Sequence, residues 1–107
     1  MLRDYTLTLS GSAQRLSAVL PNLEDVNDKF LQTLSLQPAG ANANPVYVGA
    51  SAVSATEYGV RLEAGTAGVP PAPWLASDAF KATGLKLSDV YVIGTNTQVL
   101  HILIVTH

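Results

Sequence analysis

The segment Val99-Leu100-His101-Ile102-Leu103-Ile104-Val105-Thr106 decides the fold of this chain. Its β-branched and aliphatic residues favour an extended strand. Successive side chains of a strand point to opposite faces of the sheet, so one face holds Leu100, Ile102 and Ile104. The opposite face holds Val99, His101, Leu103 and Val105. Both faces of the predicted strand are therefore apolar.

A strand of a two-sheet sandwich needs only one apolar face, so the second face requires an explanation. The strand is either central with a loop such as 65–84 over its outer face, or packed through that face against another subunit. A bare face of this composition would be prone to aggregation. We favour the subunit contact and predict that the interface contains Val99, His101, Leu103 and Val105, together with Trp74.

The N-terminal half continues the two-residue period of apolar and polar positions. A first strand ends at the turn Gly11-Ser12, and a second is stopped by Pro21. A third ends at Pro38-Ala39-Gly40, and residues 22–28 form either one helical turn or a loop. The inward residues predicted for the three strands are Tyr5, Leu7 and Leu9; Leu16, Ala18 and Leu20; and Phe30, Gln32, Leu34 and Leu36.

Further strands follow the Asn- and Pro-containing loop 41–45. Val46-Tyr47-Val48 is short, and a longer strand places Tyr58, Val60, Leu62 and Ala64 on its inner face. Leu85 and Leu87 lead into a strand over 90–93. The turn Gly94-Thr95-Asn96-Thr97 then predicts a hairpin between this strand and the C-terminal one.

Residues 65–84 contain three prolines and three glycines and predict a long irregular loop without central strands. Trp74, the only tryptophan, lies within it. Trp74 either folds back over one end of the core or contacts a partner, since tryptophan is favoured at interface hot spots.

Seven or eight short strands separated by turns predict an all-β fold, an antiparallel sandwich or barrel, with one domain over residues 1–107. The 48% content of hydrophobic residues excludes a disordered chain. No stretch reaches the roughly 20 apolar residues of a spanning helix, and we expect no membrane association.

Charge is unusually sparse: 13% of residues are charged, against about 25% in typical domains. The net charge of -2 and six scattered cations argue against a nucleic-acid partner. The chain is either a monomer with an uncharged polar coat or a subunit whose flanks are covered by companions. We favour the subunit, because charge is depleted at the centre of interfaces.

No constellation for catalysis or metal binding is visible. The chain lacks cysteine, and its two histidines, His101 and His107, lie about 20 Å apart on one strand by the rise of ~3.3 Å per residue. Neither a nucleophile elbow nor a phosphate-binding loop is present. We therefore expect a non-enzymatic protein with no cofactor and no metal.

An ordered series of short blocks resembles small virion proteins of tailed bacteriophages, of the capsid decoration or cement type. The resemblance spans roughly residues 32–105. The blocks are Leu34-Ser35-Leu36-Gln37, Asn44-Pro45-Val46-Tyr47-Val48-Gly49, Val53-Ser54, Gly59-Val60-Arg61-Leu62-Glu63-Ala64-Gly65 and Leu87-Ser88-Asp89-Val90-Tyr91-Val92-Ile93-Gly94-Thr95.

This resemblance implies a β-sandwich or jelly-roll-like subunit that stabilises the phage shell by packing against its neighbours. It implies partners that are copies of the chain, a trimer ahead of a dimer, and the major capsid protein or another virion protein. The expected location is the phage particle, assembled in the bacterial cytoplasm. The alternative is a receptor- or carbohydrate-binding module of a tail or fibre, whose sugar-stacking rings would come from Tyr47, Tyr58, Trp74 and Tyr91.

Overall fold

The computed structural model describes residues 2–20, 31–66, 68–77 and 87–106. Within these ranges eight strands form two four-stranded antiparallel sheets that face each other as a sandwich. In chain order the elements are β1 (Leu2–Thr8), β2 (Gln14–Arg15), α1 (Leu16–Val19), β3 (Leu31–Pro38), β4 (Val46–Gly49), β5 (Val60–Leu62), β6 (Trp74–Ser77), β7 (Tyr91–Ile93) and β8 (Val99–Thr106). The predicted all-β sandwich is confirmed.

Sheet I has the strand order β1-β8-β3-β6, and sheet II has the order β2-β7-β4-β5. The chain passes between the sheets at most connections, and among the strands given above only β4 and β5 are both consecutive and paired. The C-terminal strand β8 is central in sheet I, between β1 and β3. A central position suits this segment, because strands at the centre of a sheet are commonly richer in apolar residues than strands at its edge.

The core lies between the two sheets and follows the predicted alternation. Leu100, Ile102 and Ile104 of β8 are buried against Leu34 and Leu36 of β3 and the valines of sheet II. The buried cluster contains Leu7, Leu9, Leu16, Leu20, Leu34, Leu36, Val46, Val48, Leu62, Leu87, Val90, Val92, Leu100, Ile102 and Ile104. The face of β8 that carries Leu100, Ile102 and Ile104 is therefore the one that points to the core.

The predicted second strand through Leu16, Ala18 and Leu20 is wrong. Only Gln14–Arg15 is extended, and α1 follows as a single helical turn in which the Leu20 N–H donates to the Leu16 carbonyl over 3.1 Å. Residues four apart lie on one side of a helix as well as on one face of a strand, so Leu16 and Leu20 are buried in either conformation. Ala18, the intermediate position, is exposed.

The predicted hairpin between the last two strands is also wrong, because β7 belongs to sheet II and β8 to sheet I. The turn carries the chain across the sandwich. Its residues bond to the end of β1 instead of closing a ladder: the Thr97 N–H donates to the Leu9 carbonyl over 2.9 Å, and the Leu9 N–H donates to the Gln98 carbonyl over 2.7 Å. Thr97 adopts a φ of 73°, which makes the chain turn sharply there.

Two further predictions need correction in part. The strand predicted from Tyr58 to Ala64 is ordered as a strand only over Val60–Leu62. The irregular stretch 65–84 contains a strand, β6, which begins directly after Pro73 and lies at the edge of sheet I, where a strand is compatible with neighbouring prolines. The predicted features at 22–28 and 78–84 lie outside the residues that the structure describes.

Gly40 and Gly65 allow two loops to approach each other closely at one end of the sandwich. A Cβ atom at Gly65 would collide with the backbone of Gly40, and one at Gly40 would collide with the carbonyl of Gly68. Because the obstructing atoms are backbone atoms, no side-chain rotation relieves the contact. This packing fixes the start of the segment that leads to β6.

Candidate interaction surfaces

The outward surface of sheet I, called face I below, is built by the alternation of its strands. β8 contributes four residues to it, and its neighbours β1 and β3 contribute the residues that stand opposite. By register, Asp4 of β1 stands beside Leu103, which in turn stands beside Ser35 of β3. Face I consists of Leu2, Asp4, Thr6, Thr8, Thr33, Ser35, Gln37, Leu75, Val99, His101, Leu103 and Val105.

Face I is an open surface with apolar side chains and little charge. Leu2 and Leu75 are 66% and 59% exposed, and Leu103 and Val105 are half-buried. Val99 is aliphatic, Asp4 and His101 are ionisable, and the other residues of face I carry hydroxyl or amide groups. Large exposed aliphatic residues that cluster on one face indicate a surface for association.

Four of the five predicted interface residues come together on face I: Val99, His101, Leu103 and Val105. Trp74 does not join them. It lies in β6 opposite Leu36 of β3 and points to the inner side of sheet I. Its ring is half-buried and packs against the core cluster, as the core alternative for this residue predicted.

Sequence reasoning missed Leu2 and Leu75 as residues of face I. Leu75 follows Trp74 directly, and the two-residue period would have placed them on opposite faces if β6 had been predicted as a strand. Leu2 lies on the same face of β1 as Thr6 and Thr8. Because the rest of this face is polar, nothing in the sequence indicated an apolar surface residue at the beginning of β1.

Of the two explanations for the second apolar face of β8, the central position is confirmed, and the described residues of the loop after residue 65 contact one end of face I. The Gln37 side-chain amide donates to the Pro71 carbonyl over 2.8 Å. Pro73 and His101 line a shallow depression of about 240 Å³ there. Leu103 and Val105, further along β8, remain half-buried, so the contact with another molecule stays a prediction.

The buried side chain of Asn42 secures the beginning of β8. Its amide nitrogen donates to the Val99 carbonyl over 2.7 Å, and its amide oxygen accepts from the Val99 N–H over 3.0 Å. The Ala39 N–H also donates to the Val99 carbonyl over 3.0 Å. Asn42 thus substitutes for a strand residue beside β8, where the β3 ladder has ended, and it holds the outer residue Val99 in place.

The outward surface of sheet II, called face II below, is aromatic and cationic. Tyr91 and Tyr47 alternate with buried valines, and both are half-buried on the outer side. The Arg15 Nε donates to the Tyr91 hydroxyl over 2.7 Å, and its guanidinium carbon lies 5.3 Å from the centroid of the Tyr91 ring. This arginine therefore covers the ring that a ligand would need for stacking.

Tyr58 was predicted inward, and this prediction is wrong: it is 44% exposed on face II. Its ring lies 4.8 Å from that of Tyr47, at an interplanar angle of 46°. Because β5 begins only at Val60, Tyr58 belongs to the preceding loop and does not follow the alternation of the strand. Val53 of the same loop packs on Gly49, because the missing side chain of the glycine leaves space for the valine.

A depression of about 400 Å³ lies beside Tyr47 on face II. Its lining carries no charged residue and consists of Gly11, Asn44, Pro45, Tyr47, Ala55, Ile93, Gly94 and Thr95. A phenol ring with an amide and a hydroxyl at the rim can contact an uncharged polar ligand. Trp74, the fourth aromatic residue of the sugar-binding alternative, belongs to the other sheet and cannot reach this depression.

Side chains of the types that catalyse reactions or bind metals are scattered over the part of the chain that the structure describes. No group of three or more His, Cys, Asp or Glu residues there could hold a metal ion. His101 is exposed on face I, and His107 lies outside the described residues. An ion pair joins Arg61 Nε to Glu63 Oε1 over 3.2 Å, and both side chains are largely in solvent.

No helix among residues 2–20, 31–66, 68–77 and 87–106 is both long and apolar enough to cross a membrane. Comparison of the chain with protein-family models, curated proteins and solved structures gave no significant match.

Proposed function

We propose that this chain is a non-enzymatic structural subunit of a tailed-phage particle, which binds the capsid through face I and stabilises the shell. The observation that carries the proposal is the composition of face I, where Leu2, Leu75, Leu103 and Val105 lie among hydroxyl-bearing residues. The resemblance of residues 32–105 to small virion proteins supplies the biological setting.

The physical basis of stabilisation is preferential binding to one state. A subunit that contacts two neighbouring capsid proteins binds only where both are in place, so it favours the assembled shell by mass action. A rigid β-sandwich suits this role because the contact surface lies on a sheet and not on loops. The sparse charge of the chain lowers the cost of removing face I from water.

A second candidate is a carbohydrate-binding module of a tail or fibre, which the depression beside Tyr47 favours. An aromatic ring can stack on the C–H face of a sugar, and Asn44 and Thr95 can bond to its hydroxyl groups. Of the four rings named for this alternative, Tyr47 lines the depression and Tyr58 contacts the Tyr47 ring, whereas Arg15 covers Tyr91.

Deletion and add-back in phage particles test the first candidate and separate it from the second. We expect particles without the chain to lose their DNA at a lower temperature and the purified protein to restore the original value. Leu75→Lys, which places a charge on face I, should fail to restore it, whereas Tyr47→Ala on face II should succeed.

Other outcomes are equally informative. If particles purified from the host that carries this gene do not contain the chain, the structural role is wrong. If Tyr47→Ala particles have normal heat stability but no longer adsorb to cells, the second candidate replaces the first.

A further inference from the structure

The longest edge strand of the described sandwich is β1. It has seven residues, against four for β6, three for β5 and two for β2. It contains no proline, and its register with β8 runs without a bulge from Leu2 to Thr8. Natural proteins usually shorten, bend or cover such an edge, because its unpaired backbone groups bind other strands.

The hydrogen bonds at the end of β1 show which of its backbone groups point towards β8 and which point away from it. The N–H and carbonyl of Leu9 bond towards the β8 side. Because this direction alternates along an antiparallel strand, Tyr5 and Leu7 also bond to β8, and Asp4, Thr6 and Thr8 direct their groups away from the sheet. Their side chains are exposed on face I.

We infer that two copies of this chain pair antiparallel through β1 and form a continuous eight-stranded sheet around a two-fold axis. The inference rests on the proposed function and specifies how the subunit associates with itself. It replaces the three-fold assembly expected from the family resemblance with a two-fold one, because an antiparallel strand pair is symmetric about a two-fold axis.

The alternation of β1 selects the register of this pairing. A hydrogen-bonded pair requires, on both strands, a residue whose backbone N–H and carbonyl point away from β8. This condition restricts the partners to Leu2, Asp4, Thr6 and Thr8. Asp4 opposite Thr6 pairs the whole strand and places Leu2 opposite Thr8. A shift in one direction would put Asp4 opposite Asp4, where like charges repel. A shift in the other direction would put Thr6 opposite Thr6 and leave Leu2 beyond the end of the partner's β1.

The selected register brings the two Tyr5 residues opposite each other at the axis. Tyr5 is half-buried and packs against the core from the edge of sheet I. Directly opposed aromatic side chains on neighbouring strands contact each other. The partner therefore covers the side of the core that a lone copy leaves partly open.

The area of face I supports the pairing. Strands of seven, eight, eight and four residues, about 4.8 Å apart and with a rise of ~3.3 Å per residue, give one face of about 400 Å². A stable interface buries about 800 Å² on each partner. A two-fold axis perpendicular to the sheet places both copies of face I on the same side, and the doubled surface reaches that size. The pair, rather than the single chain, therefore presents a complete docking surface.

Sedimentation and amide exchange of the purified chain test the pairing. We expect a species with twice the 11.2 kDa mass of one chain. As concentration rises, the exchange rates of the Asp4, Thr6 and Thr8 amides should fall to about one tenth of the monomer value or lower. Those of Tyr5 and Leu7, which bond within the sheet, should be slow at every concentration and serve as the internal reference.

Thr6→Pro should sediment as a monomer, since proline removes the outward N–H and leaves the bonds to β8 intact. Thr6→Ala keeps this N–H and should remain paired. A monomeric wild type, or a Thr6→Pro protein that still pairs, would overturn the inference. A larger species with fast exchange at Asp4 and Thr8 would also overturn it, while the add-back experiment would still decide the proposed function.

Discussion

At the scale of single residues, Asn42 is the polar side chain on which the position of β8 depends. It is 5% exposed and the only buried polar or charged residue in the described part of the core. Both ends of its amide bond to the backbone of Val99. Buried polar groups are tolerated where every hydrogen bond is made, so Asn42 is stable here because both Val99 groups are available.

Asn42→Ala should lower the free energy of unfolding by about 1–3 kcal/mol, because the Val99 N–H loses its partner in a site that water reaches poorly. Urea denaturation followed by circular dichroism measures the change. Asn44→Ala, an exposed neighbour in the same loop, is the control and should stay within about 0.5 kcal/mol of the wild type. Equal losses in the two variants would show that the bonds to Val99 contribute nothing.

At the scale of the secondary-structure elements, β8 shows how much the sequence could predict. Its alternation correctly grouped Leu100, Ile102 and Ile104, and a central strand was one of the two explanations that its apolar faces left open. Neither the position of its partners nor the side that faces the core can be read from a strand that is apolar on both faces. That information lies in β1 and β3, which are distant in sequence.

The element-scale errors have a common physical origin. The turn at Gly94–Thr97 is compatible with a hairpin, but the choice between a hairpin and a crossing depends on which sheet accepts β8. Likewise, Leu16 and Leu20 suit a helical turn and a strand equally well, because both residues are buried against the core in either conformation. Local patterns predicted most of the strands, and long-range packing determined how they connect.

The two faces of β8 should respond differently to truncation. Ile104→Ala should cost about 2–5 kcal/mol, because Ile104 is fully buried and its loss leaves a cavity. Leu103→Ala, one residue away on face I, should cost less than about 1.5 kcal/mol, because its side chain is already partly in solvent. Urea denaturation of the two variants gives both values.

A Leu103→Ala loss as large as that of Ile104→Ala would mean that face I is covered within a single molecule. Such a result would remove the main support for its role in docking. The same pair of variants therefore tests the fold and the candidate surface together.

At the scale of the whole molecule, the candidate surface was predicted only in part. Val99, His101, Leu103 and Val105 were recognisable because they share one strand. Leu2 and Leu75 join them only because the outer strands β1 and β6 place them on the same face. A surface that assembles from strands distant in sequence is visible only once the strand order is known.

The solubility of the chain should be governed by face I. With a net charge of -2 and an isoelectric point near 5.4, little electrostatic repulsion keeps copies apart. The double substitution Leu2→Glu and Leu75→Glu should raise the polyethylene glycol concentration needed for precipitation at neutral pH. Because both leucines are exposed, the free energy of unfolding should change by less than about 1 kcal/mol.

Ala52→Glu combined with Ala72→Glu provides the matched control, since it adds the same charge at exposed positions outside face I. Charge alone would shift both double variants equally, because acidic residues improve solubility wherever they are placed. A clearly larger shift for the leucine pair is expected, because it also removes apolar surface through which copies adhere. Equal shifts would assign the low solubility to the sparse charge of the whole chain and not to face I.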